Sequence, residues 1–410
     1  MVLTRDEEWA LLAPERYHAE GYPWHLWQRL RAEDPVRHIE QGFDGPYWAV
    51  TRYADIVAIE TKPEVFHNGP KRTMTGSDGG GGARMIVSMD PPEHARHRAL
   101  AMGHFMPRSI AWVERLAREI VTETLDRAME RNSEVIDLQG DIANMVPTAV
   151  VSAYLGAPRE AWGQIIDWTD QIINANDPRV AGEQGTMATV MQASMAIMKI
   201  HGATFADRMA NPRDDLMTAL VQARIDGQPL GQMELGAWAL ILTTAGHETT
   251  QSTFGMGLSA LLQHPEQLAK LRADPALLPR AIEEILRWVS PAIHFVRTPC
   301  EDVEVAGKRI RAGEHMVMFY PSANRDETAF ENPEVFDIER SGNRHLAFGC
   351  GPHVCLGMHL ARLELKVMFE EFLARVSEVE LVGAPERVFA NATGGFKHMP
   401  ARLTVRPRAA

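Results

Sequence analysis

Apolar residues recur along most of this chain three and four positions apart, the spacing of a helix that buries one face. Between 111 and 131, Trp112, Leu116, Ile120 and Leu125 keep that spacing with charges between them. The same pattern predicts helices over 141–155, 159–175, 186–210, 214–225 and 275–289, the last ending before Pro291. The longest run covers 232–263, roughly 45 Å at helical rise. It is apolar on most faces, so it predicts a central, buried helix. Strand patterns are few. Tyr47-Trp48-Ala49-Val50 opens a strand that runs into a helix over 47–60. Residues 303–318 read as a hairpin, with turns at Val305-Ala306-Gly307-Lys308 and Arg311-Ala312-Gly313-Glu314. Short strands are expected near 379–382 and 401–406. There is no internal repeat, linker or break in composition. The pattern predicts a mainly α fold with a small β portion, with residues 1–410 forming one domain.

Two stretches break the periodicity. Residues 73–89 form a Gly-rich loop with glycines at 79–82. A phosphate-binding loop needs a preceding strand and a Gly-Lys-Ser/Thr ending, and both are missing. A mobile lid or binding loop is the better expectation. Asp90-Pro91-Pro92-Glu93 then reads as a helix start, with Asp90 as N-cap.

Composition narrows the function. With 42 basic and 54 acidic residues the net charge is −12, and no long basic block is present. Phosphate contact needs concentrated Lys and Arg, so a nucleic-acid binder is not expected. Hydrophobic residues make up 45% of the chain, enough for a sizeable core. The three cysteines, Cys300, Cys350 and Cys355, are too few for a disulfide framework and suit a reducing compartment. The N-terminal residues are charged and lack an apolar signal core. The longest apolar region carries His247, Glu248, Thr249, Thr250 and Gln251 at its middle, which a lipid-facing span would not tolerate. A cytoplasmic protein with no membrane segment is expected.

The sharpest chemical signal is Phe348-Gly349-Cys350-Gly351-Pro352-His353-Val354-Cys355-Leu356-Gly357. It sets a cysteine just before a helix with apolar period Leu356, Leu360, Leu363 and Val367. Free backbone N–H groups and the positive end of a helix dipole favour a thiolate there. Glycines let the backbone approach a flat ligand. A buried structural cysteine is one alternative. A metal cluster through Cys350 and Cys355 is another, but it wants more ligands of that type.

Phe348-x-x-Gly351-x-His353-x-Cys355-x-Gly357 resembles the haem-binding signature of the cytochrome P450 family, and further motifs in the expected order extend the resemblance over nearly the whole chain. The resemblance implies the cytochrome P450 fold, with the long central helix over a buried haem b and Cys355 as its iron ligand. Phe348, Gly351 and Gly357 are implied to shape the haem loop. O2 is the implied co-substrate.

Ala245-Gly246-His247-Glu248-Thr249-Thr250 lies within the central helix. Gly246 loosens the helix locally, and Thr249 competes for backbone carbonyls. In the family, the acid–alcohol pair at this place, here Glu248 and Thr249, relays the protons that O–O cleavage consumes. A carboxylate and a hydroxyl can pass protons inward from water. Together Gly246 and Thr249 can open a groove there for dioxygen and a water, beside Ala245. His247 is expected to point elsewhere and is assigned no role. Glu284-x-x-Arg287 shares one helix face, and the resemblance adds Arg340 as a third member of a structural brace for the Cys355 loop. His94 and Arg98 also share a face, one turn apart. With Arg297 and His353 they are implied to meet the haem propionates, for which cationic donors are suited. His353 stands where many relatives carry Arg.

The segments around Pro291, Tyr320–Asp326 and Asn391–Phe396 look most like the bacterial terpineol monooxygenase branch. That resemblance implies hydroxylation of a C–H bond in an apolar small molecule, a monoterpenoid or a similar alicyclic or alkyl-aromatic compound. Met85, Ile86, Val87, Leu242, Ile293, Phe295, Val296 and Phe396 are the candidate pocket residues, nearly all apolar. Steroid or fatty-acyl hydroxylation on the same fold is an alternative. No flavin or nicotinamide fingerprint is present, so electrons are expected from a 2Fe-2S ferredoxin and its flavin-dependent NAD(P)H reductase. Arg96, Arg108, Arg362 and Lys366 are candidates to meet that acidic partner. A monomer is expected. A non-catalytic haem sensor would not need the acid–alcohol pair, and a peroxide-driven enzyme would replace it.

Overall fold

The computed structural model describes residues 3–75, 85–130 and 135–406. The glycines at 79–82, within the segment expected to form a mobile lid or binding loop, lie outside these. Helices dominate. The central helix runs Gln232–Gln263, as its pattern predicts, and the helices Met145–Tyr154, Gly185–Ala210, Leu278–Val289 and Met358–Arg375 pack along it. Its packing is close because small residues face its neighbours. A Cβ at Gly246 would sit 2.7 Å from Val151 Cγ2, and one at Gly257 would sit 2.5 Å from Ile285 Cγ2. Further along, Phe254, Leu258 and Leu261 pack with Phe369, Phe372 and Ile285 into the main core, the Phe254 and Phe369 rings 4.8 Å apart.

The β portion is small. A five-stranded sheet has the order Val36–Ile39, Tyr47–Val50, Met316–Phe319, His294–Pro299, Phe66–His67. Met316–Phe319 pairs parallel to Tyr47–Val50 and antiparallel to His294–Pro299. The hairpin expected over 303–318 is therefore shorter. Only Val303–Val305 and Lys308–Ile310 pair with each other, and the next strand leaves for the larger sheet. Val376–Leu381 and Pro400–Val405 pair antiparallel, close to where the terminal strands were expected.

Other boundaries differ for identifiable reasons. The helix after Pro92 begins at Glu93, and Asp90 does not cap it. The Asp90 carboxylate instead accepts from the backbone N–H groups of Asn68 (2.6 Å) and Gly69 (3.4 Å). The helix Pro265–Ala273, one residue after the central helix, has no strong apolar period and was not predicted. The N-terminal helices Arg5–Ala10, Pro14–Glu20 and Trp24–Glu33 were missed too; they bury Leu11, Leu12, Trp27 and Leu30 against the sheet. Among the described residues no helix is long and apolar enough to cross a membrane.

Candidate active site

Between the middle of the central helix and the loop before Met358 lies a cavity with about 1590 Å³ free of protein atoms, its mouth included. Ala245, Gly246 and Thr249 line one side. Phe348, His353, Val354, Cys355 and Gly357 line the other. His94, Arg98 and Arg297 close an edge.

The loop holding Cys355 is shaped by its own sequence. Gly351 has φ +66°, and a Cβ there would lie 2.3 Å from the Glu60 carbonyl oxygen, so only glycine fits. The Cys355 N–H donates to Phe348 O at 2.8 Å, closing the turn. The following helix starts at Met358, with Gly357 as cap, so Cys355 sits three residues before it. Burial raises the thiol above its ordinary value, opposed by a hydrogen bond from the Gly357 backbone and by the Arg98 and Arg362 charges. Burial and the helix-end setting thus act on this sulfur in opposite directions. The two cysteines of the loop part company. Cys350 Sγ donates to Glu60 Oε2 at 3.4 Å, and burial pushes its thiol up to about 12.

Glu284, Arg287 and Arg340 meet as the sequence implied. Arg287 makes two bonds of 2.8 Å to the Glu284 carboxylate, and Arg340 Nε lies 3.1 Å from Glu284 Oε2. Asn343 Nδ2 and the Asp337 N–H add bonds of 3.0 Å each. Arg287 also donates to Asn324 O at 2.8 Å, and Asn324 Oδ1 accepts from the Leu346 N–H at 2.7 Å. This connects the brace to the chain two residues before Phe348.

On the central helix, Thr249 Oγ1 donates to Ala245 O at 2.9 Å, the competition expected of it. Gly246 does not break the helix, which is continuous; it admits Val151. Glu248 does not line the cavity. It is buried beside it and accepts from Gln251 Nε2 (2.6 Å) and Ser252 Oγ (3.2 Å), and burial raises its pKa above the ordinary carboxylate value. His247 points away from the cavity, with Nε2 3.3 Å from Asp170 Oδ1.

The edge fits carboxylates of a bound cofactor, with Arg98 and Arg297 as cations and His94 and His353 as hydrogen-bonding rings. The His94 and His353 rings stack at 3.6 Å. Burial is the main cause that lowers His94 to about 4 and His353 to about 2, with neighbouring positive charges adding to it. His353 Nδ1 is 3.2 Å from Asn68 Nδ2, while its buried Nε2 has no partner among the described residues. Arg98 Nη2 donates to Val354 O at 2.7 Å. Arg297 is partly engaged already: Nη2 donates to Glu60 Oε1 at 2.8 Å. Glu60 lines the cavity and was missed by sequence reasoning. It also accepts from Tyr320 Oη (2.7 Å) and the Cys350 N–H (2.9 Å). A Glu at the end of a short helix carries no sequence signal for this. Glu364 was missed as well; it lines the cavity, and neither carboxylate oxygen has a partner among the described residues.

Of the predicted pocket residues, Ile86, Val87, Leu242 and Phe295 line the cavity. Met85, Ile293, Val296 and Phe396 do not. Strand alternation explains Val296: Phe295 and Arg297 face the cavity, so Val296 faces the other way, where with Ile293 it packs among Leu11, Trp27 and Phe319. Phe396 packs into the main core. Phe105, Val151, Leu155 and Ile241 belong to the lining instead.

An orphaned histidine nitrogen, an edge of cationic donors, a cysteine sulfur at the floor and a cap of small residues fit haem b. Comparison with known proteins agrees. The cytochrome P450 family model matches residues 49–383. Cytochrome P450-terp of Pseudomonas sp. is 38% identical, with 96% of each chain covered. Linalool 8-monooxygenase of Pseudomonas putida is 32% identical over 94% of this chain and 96% of that one. Steroid C26-monooxygenase of Mycobacterium tuberculosis is 34% identical over 97% of each. The crystal structure of a cytochrome P450 from Novosphingobium aromaticivorans superposes with a TM-score of 0.87 at 32% identity, covering 99% of this chain and 100% of that one. The chain belongs to the cytochrome P450 family and is a haem b monooxygenase of the bacterial type that uses O2.

Proposed function

We propose that this enzyme hydroxylates a monoterpenoid or a similar alicyclic or alkyl-aromatic compound with electrons from a 2Fe-2S ferredoxin and its flavin reductase. The observation that carries the reading is the wall on the central-helix side of the cavity. Ile86, Val87, Phe105, Leu242 and Phe295 make it apolar, and among the described residues the cavity carries no cation apart from Arg98 and Arg297 of the edge that also holds His94. That edge is assigned to the cofactor. The names of two relatives, P450-terp and linalool 8-monooxygenase, support the same substrate class.

In this reading Cys355 holds the iron, and His94, Arg98, Arg297 and His353 hold the propionates. Bound haem supplies the redox chemistry that splits O2, placing one atom in the C–H bond and releasing the other as water. The chain supplies the rest. The apolar wall orients the substrate and excludes water. Thr249, on the cavity face, holds a proton at its hydroxyl, and the buried Glu248 resupplies it. Burial raises the pKa of Glu248 above the ordinary carboxylate value, which favours its holding a proton. Glu284, Arg287 and Arg340 fix the loop.

The test is a binding screen of the haem-loaded enzyme with linalool, pseudoionone, testosterone and hexadec-9-enoic acid. The substrate-induced spin-state shift of the ferric haem should be large for the first two. A full shift only with the steroid or the fatty acid would replace the proposed substrate class. In parallel, Cys355→Ser should abolish the thiolate-type spectrum of the reduced carbon-monoxide complex; its persistence would remove Cys355 as the ligand.

A further inference from the structure

His247 is fully buried, yet its assigned neighbours in the site do not use it. Its Nε2 meets Asp170 on the helix Trp162–Ile173, and the Asp170 side chain is 39% exposed, so it reaches solvent. The other Asp170 oxygen accepts from Asn144 Nδ2 at 3.1 Å. His247 Nδ1 has no partner among the described residues. Neither has Gln251 Oε1, one turn along the same helix face, nor Asn144 Oδ1. Gln139 belongs to the same stripe: its side-chain oxygen lies 2.1 Å from where a Cβ of Gly255 would be, and both its amide atoms are likewise unpartnered. Gln251 Nε2, by contrast, donates to Glu248.

Five buried polar atoms without protein partners along one seam are unusual, because native interiors satisfy such groups with protein or with ordered water. This seam leads from a solvent-touching carboxylate to the buried acid of the acid–alcohol pair.

We propose that protons reach Glu248 through this seam, taken from solvent at Asp170 and passed by His247 and internal water to the Glu248 carboxylate. The inference rests on the proton-delivery role given to Glu248 above. Imidazole suits the step because it accepts a proton at one ring nitrogen while releasing one from the other. Each passage takes one proton from solvent and gives one to Glu248; the ring then exchanges tautomers, and no heavy-atom bond or electron moves. Hydroxylation consumes two protons with two electrons per O2, so the path works twice per turnover. Gln251 does not carry the proton: its amide holds the carboxylate on one side and accepts from water on the other. His247, Asp170 and Gln251 are thus positioning and relay residues, not catalytic ones.

The titratable groups on the elements around His247 leave Asp170 as its partner. His201, on Gly185–Ala210, is bonded to Thr243 Oγ1 at 3.1 Å. Tyr154, on Met145–Tyr154, donates to His104 O, and Asp141 accepts from the Asp137 N–H. Of the nearby cations, Arg208 is paired with Asp207 and Asp215, and Lys397 with Asp177.

The test uses the haem-loaded enzyme and the screened compound giving the largest spin shift. Asp170→Asn, at the surface, and His247→Gln, which stays polar, are compared with Glu248→Gln. Both relay variants should form product roughly tenfold more slowly, at or below the usual contribution of a positioned proton donor. Their solvent deuterium isotope effect should rise, while the spin shift and the rate of ferric reduction stay at wild-type values. A crystal structure should show ordered water bonded to His247 Nδ1 and Gln251 Oε1. Wild-type rate and isotope effect in both relay variants, with Glu248→Gln slow, would overturn the inlet alone. Wild-type behaviour in Glu248→Gln as well would overturn the role of Glu248 and this path with it. A dry seam in the crystal would overturn the path whatever the kinetics.

Discussion

Glu60 is the residue whose importance a linear reading hides. It ends the helix Tyr53–Glu60, where an acidic residue normally faces water, yet it is 4% exposed and accepts from Arg297, Tyr320 and Cys350. Those donors come from three distant parts of the chain, so nothing local announces them. Glu60→Ala strands a buried guanidinium, which typically costs about 3–5 kcal/mol. Glu60→Gln keeps an acceptor for Tyr320 and should cost less. Chemical denaturation of both variants checks the order; equal losses would mean that the acceptor kept by the Gln amide contributes nothing. Cys355 is the opposite case. Its glycine-rich surroundings marked it from sequence, because a loop that must pass close to Glu60 and to a cofactor can be built only with glycine. What the sequence did not disclose is that burial works against its thiolate.

At the scale of elements, neighbouring carboxylates divide the labour of tying the Cys355 loop. Glu284 binds the brace. Glu283, beside it, takes Arg362 from the following helix at 2.7 and 2.8 Å and His345 from the loop at 3.2 Å. Burial would raise Glu283, but the bonds and charges of Arg362 and His345 outweigh it and bring its pKa from 4.5 to about 2. A depressed carboxylate contributes stability that is fully present above its unfolded value and is lost as pH falls through the folded one. The window here is about 4.5 to 2, and the contribution is on the order of 3 kcal/mol. Glu283→Gln should therefore lower the denaturation midpoint near neutral pH and flatten its fall between those limits. An unchanged pH profile would sink the linkage. The long helices were legible because their apolar stripes persist for several turns. The helix Pro265–Ala273 was not, since its Glu266 and Lys270 face solvent and its buried residues are few. The strand Met316–Phe319 was misjoined because apolar alternation tells that a segment is a strand but not which partner it takes.

Across the whole molecule, the surface cations expected to receive an electron donor are mostly occupied. Arg96 pairs with Asp226, Arg362 with Glu283, and Lys366 with Glu114. Arg108 is exposed on the short helix Pro107–Ile110, beside exposed Met102, Met106 and Trp112. Charge reversal at Arg362 would therefore disturb the loop as well as docking, and Arg108→Glu is the cleaner probe. It should slow reduction by an acidic ferredoxin several-fold at low salt, with the difference shrinking as salt rises. Equal rates at every ionic strength would remove Arg108 from the docking surface.

The strand His294–Pro299 turns its alternation into a separation of duties. Phe295 faces the cavity and Val296 faces the packing beneath the N-terminal helices, although one peptide bond joins them. A library of variants at 295 therefore samples chiefly which molecules fit, at the cost of the Phe295 contact with the Tyr320 ring. The same library at 296 samples thermal tolerance and leaves the choice of substrate untouched. Laboratory evolution of a new specificity can draw on the first position and repair its losses at the second.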